Sequence, residues 1–175
     1  MTTATRHVIP VSGKDSLATA IIQMRREPDL PYELLYNPTG MELPEVEAWL
    51  ALVEQYLGKP IVRVGDDLGE IIREQQILPA HKQRFCTRLA KIIPMEEWLG
   101  TDPARVYYGI RADEQRVGYQ SMSGHNITPV YPLKEEGYTL PMVWQLVMDL
   151  DLLPPQFFWQ SLYEMVVKRL GIARE

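Results

Sequence analysis

Five consecutive residues, Ser12-Gly13-Lys14-Asp15-Ser16, combine a glycine, a full positive charge, a carboxylate and two hydroxyls. That set suits a phosphate or another tetrahedral oxyanion. Lys14 supplies charge, Ser12 and Ser16 supply donors, and Gly13 lets the backbone approach the anion closely. The flanking residues put the loop where an anion is welcome. Residues 8–11 form an apolar run broken by Pro10 and read as a strand, while Leu17, Ala20, Ile21 and Met24 recur at helical spacing. The loop therefore lies at a helix N-terminus, where unpaired N–H groups and the positive end of the dipole stabilise negative charge. Asp15 repels a bare anion, so its expected work is to cap the helix or to help hold a cation such as magnesium. An ordinary polar turn closed by a helix cap would carry the same residues.

Two further clusters carry charge. His81, Lys82, Arg84, Arg88 and Lys91 crowd a helical stretch over 75–99. Arg84, Arg88 and Lys91 fall three to four residues apart, on one face of a helix. A solvated surface or a second anion site both follow from that pattern. Later, Arg111 and Arg116 flank Asp113 and Glu114 directly after an apolar run. The cluster is either a self-paired surface turn or part of a ligand edge.

The elements that must position these groups alternate. Residues 32–36 form a second strand, ending at the turn Asn37-Pro38-Thr39-Gly40. Pro44 opens a helix whose predicted buried face is Val46, Trp49, Leu50, Leu52, Val53, Tyr56 and Leu57, and Gly58 stops it. Residues 60–64 form a third strand, and Asp66-Asp67 caps a helix bearing Leu68, Ile71 and Ile72. A fourth strand is predicted over 106–110 and an extended edge segment over 127–133. Thr139 is the expected cap of a helix with Val143, Trp144, Leu146 and Val147 on its apolar face, and a last amphipathic helix spans about 157–170. Repeated strand–helix units predict an α/β fold with a parallel sheet and helices on both faces, a Rossmann-like three-layer arrangement. Loops 12–16, 38–42 and 65–67 then share the carboxyl edge, where such sheets bind ligands.

Composition narrows the classes. The chain has 175 residues, 46% of them hydrophobic, a formal net charge of −5 and a single cysteine, Cys86. That length supports one domain with a substantial core, here 1–175. The negative balance argues against a broad nucleic-acid footprint. One cysteine permits neither an intrachain disulfide nor a cysteine metal cluster. Residues 1–7 are polar and lack an apolar signal core, and no run approaches the roughly 20 apolar residues of a membrane span. A cytoplasmic protein is the expectation.

With these segments placed, the chain resembles the phosphoadenosine phosphosulfate (PAPS) reductase-like branch of the PP-loop, or adenine nucleotide alpha-hydrolase, superfamily. The resemblance spans about 7–150 and rests on four segments in order. They are Ser12-Gly13-Lys14-Asp15-Ser16; Thr39-Gly40-Met41-Glu42-Leu43-Pro44-Glu45; Arg84-Phe85-Cys86-Thr87-Arg88-Leu89-Ala90-Lys91; and Gly109-Ile110-Arg111-Ala112-Asp113-Glu114-Gln115-Arg116. Val130-Tyr131-Pro132-Leu133 and Val143-Trp144 match further positions of the branch. The resemblance implies an adenine nucleotide, ATP or PAPS-like, over the carboxyl edge. Ser12, Gly13, Lys14, Asp15 and Ser16 would hold its phosphates, with Thr39, Gly40 and Glu42 beside it. Arg84, Thr87, Arg88 and Lys91 would meet a terminal phosphate or sulfate, and Arg111 and Arg116 would close over the same anion. Lys14, Asp15, Arg111 and Arg116 are the implied catalytic set, with Asp15 or Glu42 helping to hold magnesium.

Departures from the family are equally specific. The usual loop is Ser-Gly-Gly-Lys-Asp-Ser, whereas this chain has Val11 and Ser12 at its first two positions. No cysteine follows Cys86, so the C-terminal reductase cysteine and an iron–sulfur cluster are both excluded from this chain alone. Cys86 reads as a half-buried structural thiol. Two classes of function remain: an ATP pyrophosphatase or adenylyl-transfer enzyme, and a non-catalytic or partner-dependent nucleotide-binding module. The aromatic segment Phe157-Phe158-Trp159 offers either core packing or a surface for a protein partner or a second copy. Small stand-alone members of this branch are common in phage genomes, which implies a mobile-element origin by analogy.

Overall fold

Side chains of a strand alternate between its two faces, and here both faces are apolar. In β1 (Arg6–Pro10), Ile9 enters one buried cluster and Val8 another. The sheet must therefore be covered on both sides. The computed structural model describes residues 4–40, 42–76, 87–119 and 126–155. Within them β2 (Tyr32–Tyr36), β3 (Ile61–Arg63), β4 (Ala104–Tyr107) and β5 (Ile127–Val130) join β1 in one sheet of order β3-β2-β1-β4-β5. Every pairing is parallel, with Ile9 opposite Leu34, Val8 opposite Val106, and Ala104 opposite Ile127.

The helices are α1 (Lys14–Arg26), α2 (Pro44–Leu57), α3 (Leu68–Gln75), α4 (Ile93–Leu99), α5 (Pro132–Glu135) and α6 (Leu140–Asp149). One face of the sheet packs Ile9, Leu34 and Tyr36 against Leu17 and Ile21 of α1, Trp49 and Leu50 of α2, and Val143 and Val147 of α6. The other face packs Val8, Leu35 and Val106 against Met95 and Leu99 of α4. This is the predicted three-layer α/β arrangement. Leu34 and Leu50 have no exposure, and truncating either to alanine is expected to cost about 2–5 kcal/mol.

Several local expectations need correction. β4 ends at Tyr107 rather than at Ile110. Tyr108 still donates to the Val130 carbonyl at 2.9 Å, but the chain then leaves the ladder to pack on α1. The stretch 75–99 is not one regular helix. α3 stops at Gln75, and a π-helical turn, Arg88–Ile92, precedes α4, with Pro94 in the first turn of α4. Leu133 belongs to α5, not to an extended segment. Leu52 and Tyr56 are 53% and 41% exposed, so the buried stripe of α2 is narrower than its composition suggests. Thr139 occupies the N-cap of α6 without a side-chain bond. The predicted helix over 157–170 lies outside the described residues.

Candidate functional site

The order of the strands locates the site. The chain steps outward from β1 through β2 to β3, then returns to place β4 on the other side of β1. The carboxyl ends of β1 and β4 thus flank a topological switch point, where open α/β sheets form their ligand crevice. Residues 12–16 follow β1, and 108–116 follow β4.

Backbone packing joins the two loops. A Cβ on Gly109 would stand 2.7 Å from both the Asp15 carbonyl carbon and the Ser16 nitrogen. Only glycine lets the end of β4 lie this close to the first turn of α1. Gly13, by contrast, has extended φ, and among the described residues a Cβ there would meet nothing within 4 Å.

Ser16 organises the loop. Its hydroxyl accepts from the N–H groups of Ser12 (2.8 Å) and Gly13 (3.0 Å) and donates to the Gly13 carbonyl (2.9 Å). The N-cap of α1 is Gly13, whose N–H the Ser16 side chain reaches back to hold, and Asp15 does not cap the helix. Leu17 makes the first helical bond, to the Gly13 carbonyl at 2.9 Å. The N–H groups of Lys14, Asp15 and Ser16, in the first turn of α1, have no intrahelical acceptor, the general condition for anion binding at a helix N-terminus. The Ser12 side chain is exposed at the mouth of the loop.

Asp15 instead bridges two cations. One oxygen lies 2.8 Å from Lys14 Nζ and the other 3.0 Å from an Arg111 terminal nitrogen. Arg111 continues to Asp113 at 2.9 Å and Glu114 at 3.3 Å, and Glu114 reaches Arg116 at 2.8 Å. Burial alone would lower the Arg111 pKa, but its bonds to Asp15 and Asp113 outweigh that and hold it above its ordinary value. Asp113 is held below the usual carboxylate range: desolvation opposes the shift, and the Leu140 N–H and Arg111 together overcome it. That Leu140 contact, at 3.2 Å, caps α6 from a neighbouring loop in place of Thr139. The 111–116 cluster is thus both self-paired and joined to the loop at 12–16.

The turn after β2 is fastened internally. Glu42 accepts from the Thr39 N–H and the Thr39 hydroxyl, each at 2.7 Å. Burial pushes the Glu42 carboxyl up, yet the Thr39 bonds prevail and lower it. Its described role is to shape the turn. Gly40 has φ +72°, and a Cβ there would meet Asp67 Oδ2 at 2.6 Å, so this turn rests against the cap of α3.

The second predicted anion group reaches the same edge beside β2. Asn37 Nδ2 donates to the carbonyls of Val64 (2.6 Å) and Lys91 (3.4 Å), tying the π-helical turn to the ends of β2 and β3. Thr87 and Arg88 are exposed and Lys91 is half-buried. Among the described residues neither Arg88 nor Lys91 has an ion pair, unlike Lys14, Arg111 and Arg116. No described hydrogen bond joins them to the Lys14–Arg111 network. Arg84 and Cys86 lie outside the described residues. Asn37 and Gly109 were not among the predicted site residues. Asn37 ends a strand in a turn, and Gly109 follows an apolar run, so both look local in sequence.

A PAPS reductase from Candida auris, solved as a phosphate complex, superposes with a TM-score of 0.60 at 14% identity, covering 91% of this chain and 79% of its own. This chain has the PAPS reductase fold. The U34-tRNA thiolase NcsA from Methanococcus maripaludis, solved with its 4Fe-4S cluster, aligns with a TM-score of 0.53 at 18% identity. That alignment covers 88% of this chain and 60% of the thiolase. No family model and no curated protein matches the sequence. Similarity at these identities resides in the backbone path. Among the described residues no helix is long and apolar enough to cross a membrane.

Proposed function

We propose that this chain is a cytoplasmic PAPS reductase-like PP-loop protein that binds an adenine nucleotide, ATP or PAPS-like, and cleaves the α–β phosphate bond of ATP, with water or a second substrate taking the adenylyl group as pyrophosphate leaves. The observation that carries the reading is the meeting of Lys14, the free N–H groups of α1 and Arg111 at the β1/β4 switch point. The phosphate complex of the Candida auris reductase supports it as a fold-level parallel. In this reading the amides of α1 and Lys14 hold the phosphates. Arg111, with Arg116 behind it, stabilises charge on the departing pyrophosphate, an electrostatic task for preorganised cations. Arg88 and Lys91, unpaired among the described residues, take a terminal phosphate or sulfate, together with Thr87 and Arg84.

Magnesium fits this donor set. It prefers one or two carboxylates with phosphate oxygens and water completing the shell, and Asp15 is a carboxylate at the phosphate side of the loop. Bound there, magnesium would neutralise phosphate charge. An iron–sulfur cluster does not fit, because a chain with one cysteine cannot supply the thiolates.

The pairing of Lys14, Arg111 and Arg116 with carboxylates favours a second reading: a nucleotide-binding module that needs a partner to become active. Calorimetric titration separates the two. A non-hydrolysable ATP analogue with magnesium is compared with adenosine 3′,5′-bisphosphate, alongside a pyrophosphate-release assay with ATP. The enzyme reading expects binding of the analogue, its loss in Lys14→Ala, and measurable release. Binding without release supports the module. Preference for the bisphosphate, lost in Arg111→Ala, points to a sulfonucleotide site. Binding of neither overturns both.

A further inference from the structure

Lys14 has a second neighbour besides Asp15. Its ammonium stands 5.5 Å from the centroid of the Trp144 ring. Trp144 lies on α6, whose Val143 and Val147 are fully buried against the α1 face of the core. Trp144 itself is 36% exposed, against the expectation that it packs with them. The helix is held at two points near the site: Asp113 caps Leu140 at 3.2 Å, and Ala112 donates to the Tyr138 carbonyl at 2.9 Å. The loop that carries Arg111 thus also places the helix that carries Trp144.

The geometry points to Trp144 as a positioning residue for Lys14. An ammonium is drawn to the negative face of an indole, the strongest of the aromatic partners. Asp15 also holds Lys14, but that carboxylate is shared with Arg111 and repels an incoming anion. The ring is neutral. It keeps the ammonium beside the α1 N-terminus whether the carboxylate is engaged or withdrawn, and it does so without opposing a phosphate. The inference about affinity rests on the reading above, in which Lys14 contacts phosphate; the inference about position does not.

Two measurements test it. The first needs no ligand. In lysine-labelled protein, the ε-methylene resonance of Lys14, assigned by its absence in Lys14→Met, should carry a ring-current shift. The shift should vanish in Trp144→Leu and persist in Trp144→Phe. A resonance unmoved by Trp144→Leu overturns the proposal. The second is titration with inorganic pyrophosphate. Trp144→Leu should weaken binding about two- to fivefold, Trp144→Phe should restore most of it, and Trp144→Leu should add nothing in the Lys14→Met background. An equal loss in that background would show that the ring acts otherwise than through Lys14. If the wild-type protein binds neither pyrophosphate nor nucleotide, the functional reading falls and the resonance alone decides the position of Lys14.

Discussion

Asp15 sets the charge state of the candidate site. Its two oxygens hold Lys14 at 2.8 Å and Arg111 at 3.0 Å, the two cations an anion in this loop would seek. A phosphate arriving without metal must compete with that carboxylate. Asp15→Asn keeps the shape and removes the competition, so metal-free affinity for inorganic pyrophosphate should rise. Partly exposed pairs are worth up to about 1 kcal/mol, which corresponds to roughly fivefold. With magnesium the gain should disappear, because the carboxylate that would hold the ion is gone. Calorimetry with and without chelator checks both arms. Unchanged or weaker metal-free binding in Asp15→Asn would show that Asp15 does not gate these cations.

At the level of elements, the site depends on how closely the end of β4 lies on the first turn of α1. A methyl group at 109 would sit 2.7 Å from the Asp15 and Ser16 backbone. Gly109→Ala should therefore push the two loops apart, destabilise the fold by about 1–3 kcal/mol, and weaken nucleotide binding beyond the loss seen for a distant variant of equal stability. Denaturant unfolding beside calorimetry separates the two effects, and wild-type affinity in a folded Gly109→Ala would count against the contact. This dependence also marks what was legible in the sequence. Strand–helix alternation placed loops 12–16 and 38–42 on the carboxyl edge, because hydrophobic period and turn chemistry are local properties. The end of β4 was hidden, since Tyr108-Gly109-Ile110 continues an apolar run while Gly109 answers to α1, distant in sequence. Trp144 was hidden for a similar reason. It shares helical spacing with Val143 and Val147, and only the docking of α6 turns its ring toward Lys14. Asp113 reads as a partner for the adjacent arginine, yet it also caps a helix 27 residues on.

For the molecule as a whole, acid should act in two stages, the first far from the site. His7, near the start of β1, lies between Tyr32 and Tyr107, with ring centroids 6.0 Å away in each case, and its Nδ1 is 2.8 Å from the Tyr107 hydroxyl. Burial and the charge of Arg105 lower its pKa below the ordinary 6.5, with Glu27 opposing. The folded protein therefore holds His7 neutral where the unfolded chain already binds a proton. By linkage, stability rises with pH wherever the unfolded state binds more protons. Stability is then full above about pH 6.5 and declines as pH falls from there toward the folded value. Glu42 and Glu54 act lower on the scale. Glu42 is lowered against burial by its Thr39 bonds, and Glu54 chiefly by the Ile61 N–H, with Arg63 adding to it. Their contributions are present above the ordinary 4.5 and are lost as pH falls through their depressed values. Thermal unfolding followed from about pH 8 to about pH 3 should show Tm dropping first below about 6.5 and again below about 4.5. His7→Gln, which retains a polar side chain next to Tyr107, should flatten the first decline and leave the second. If Tm is level from about pH 7 to about pH 5 in the wild-type protein, His7 titrates alike in the folded and unfolded chains and its aromatic surroundings do not disfavour the charge.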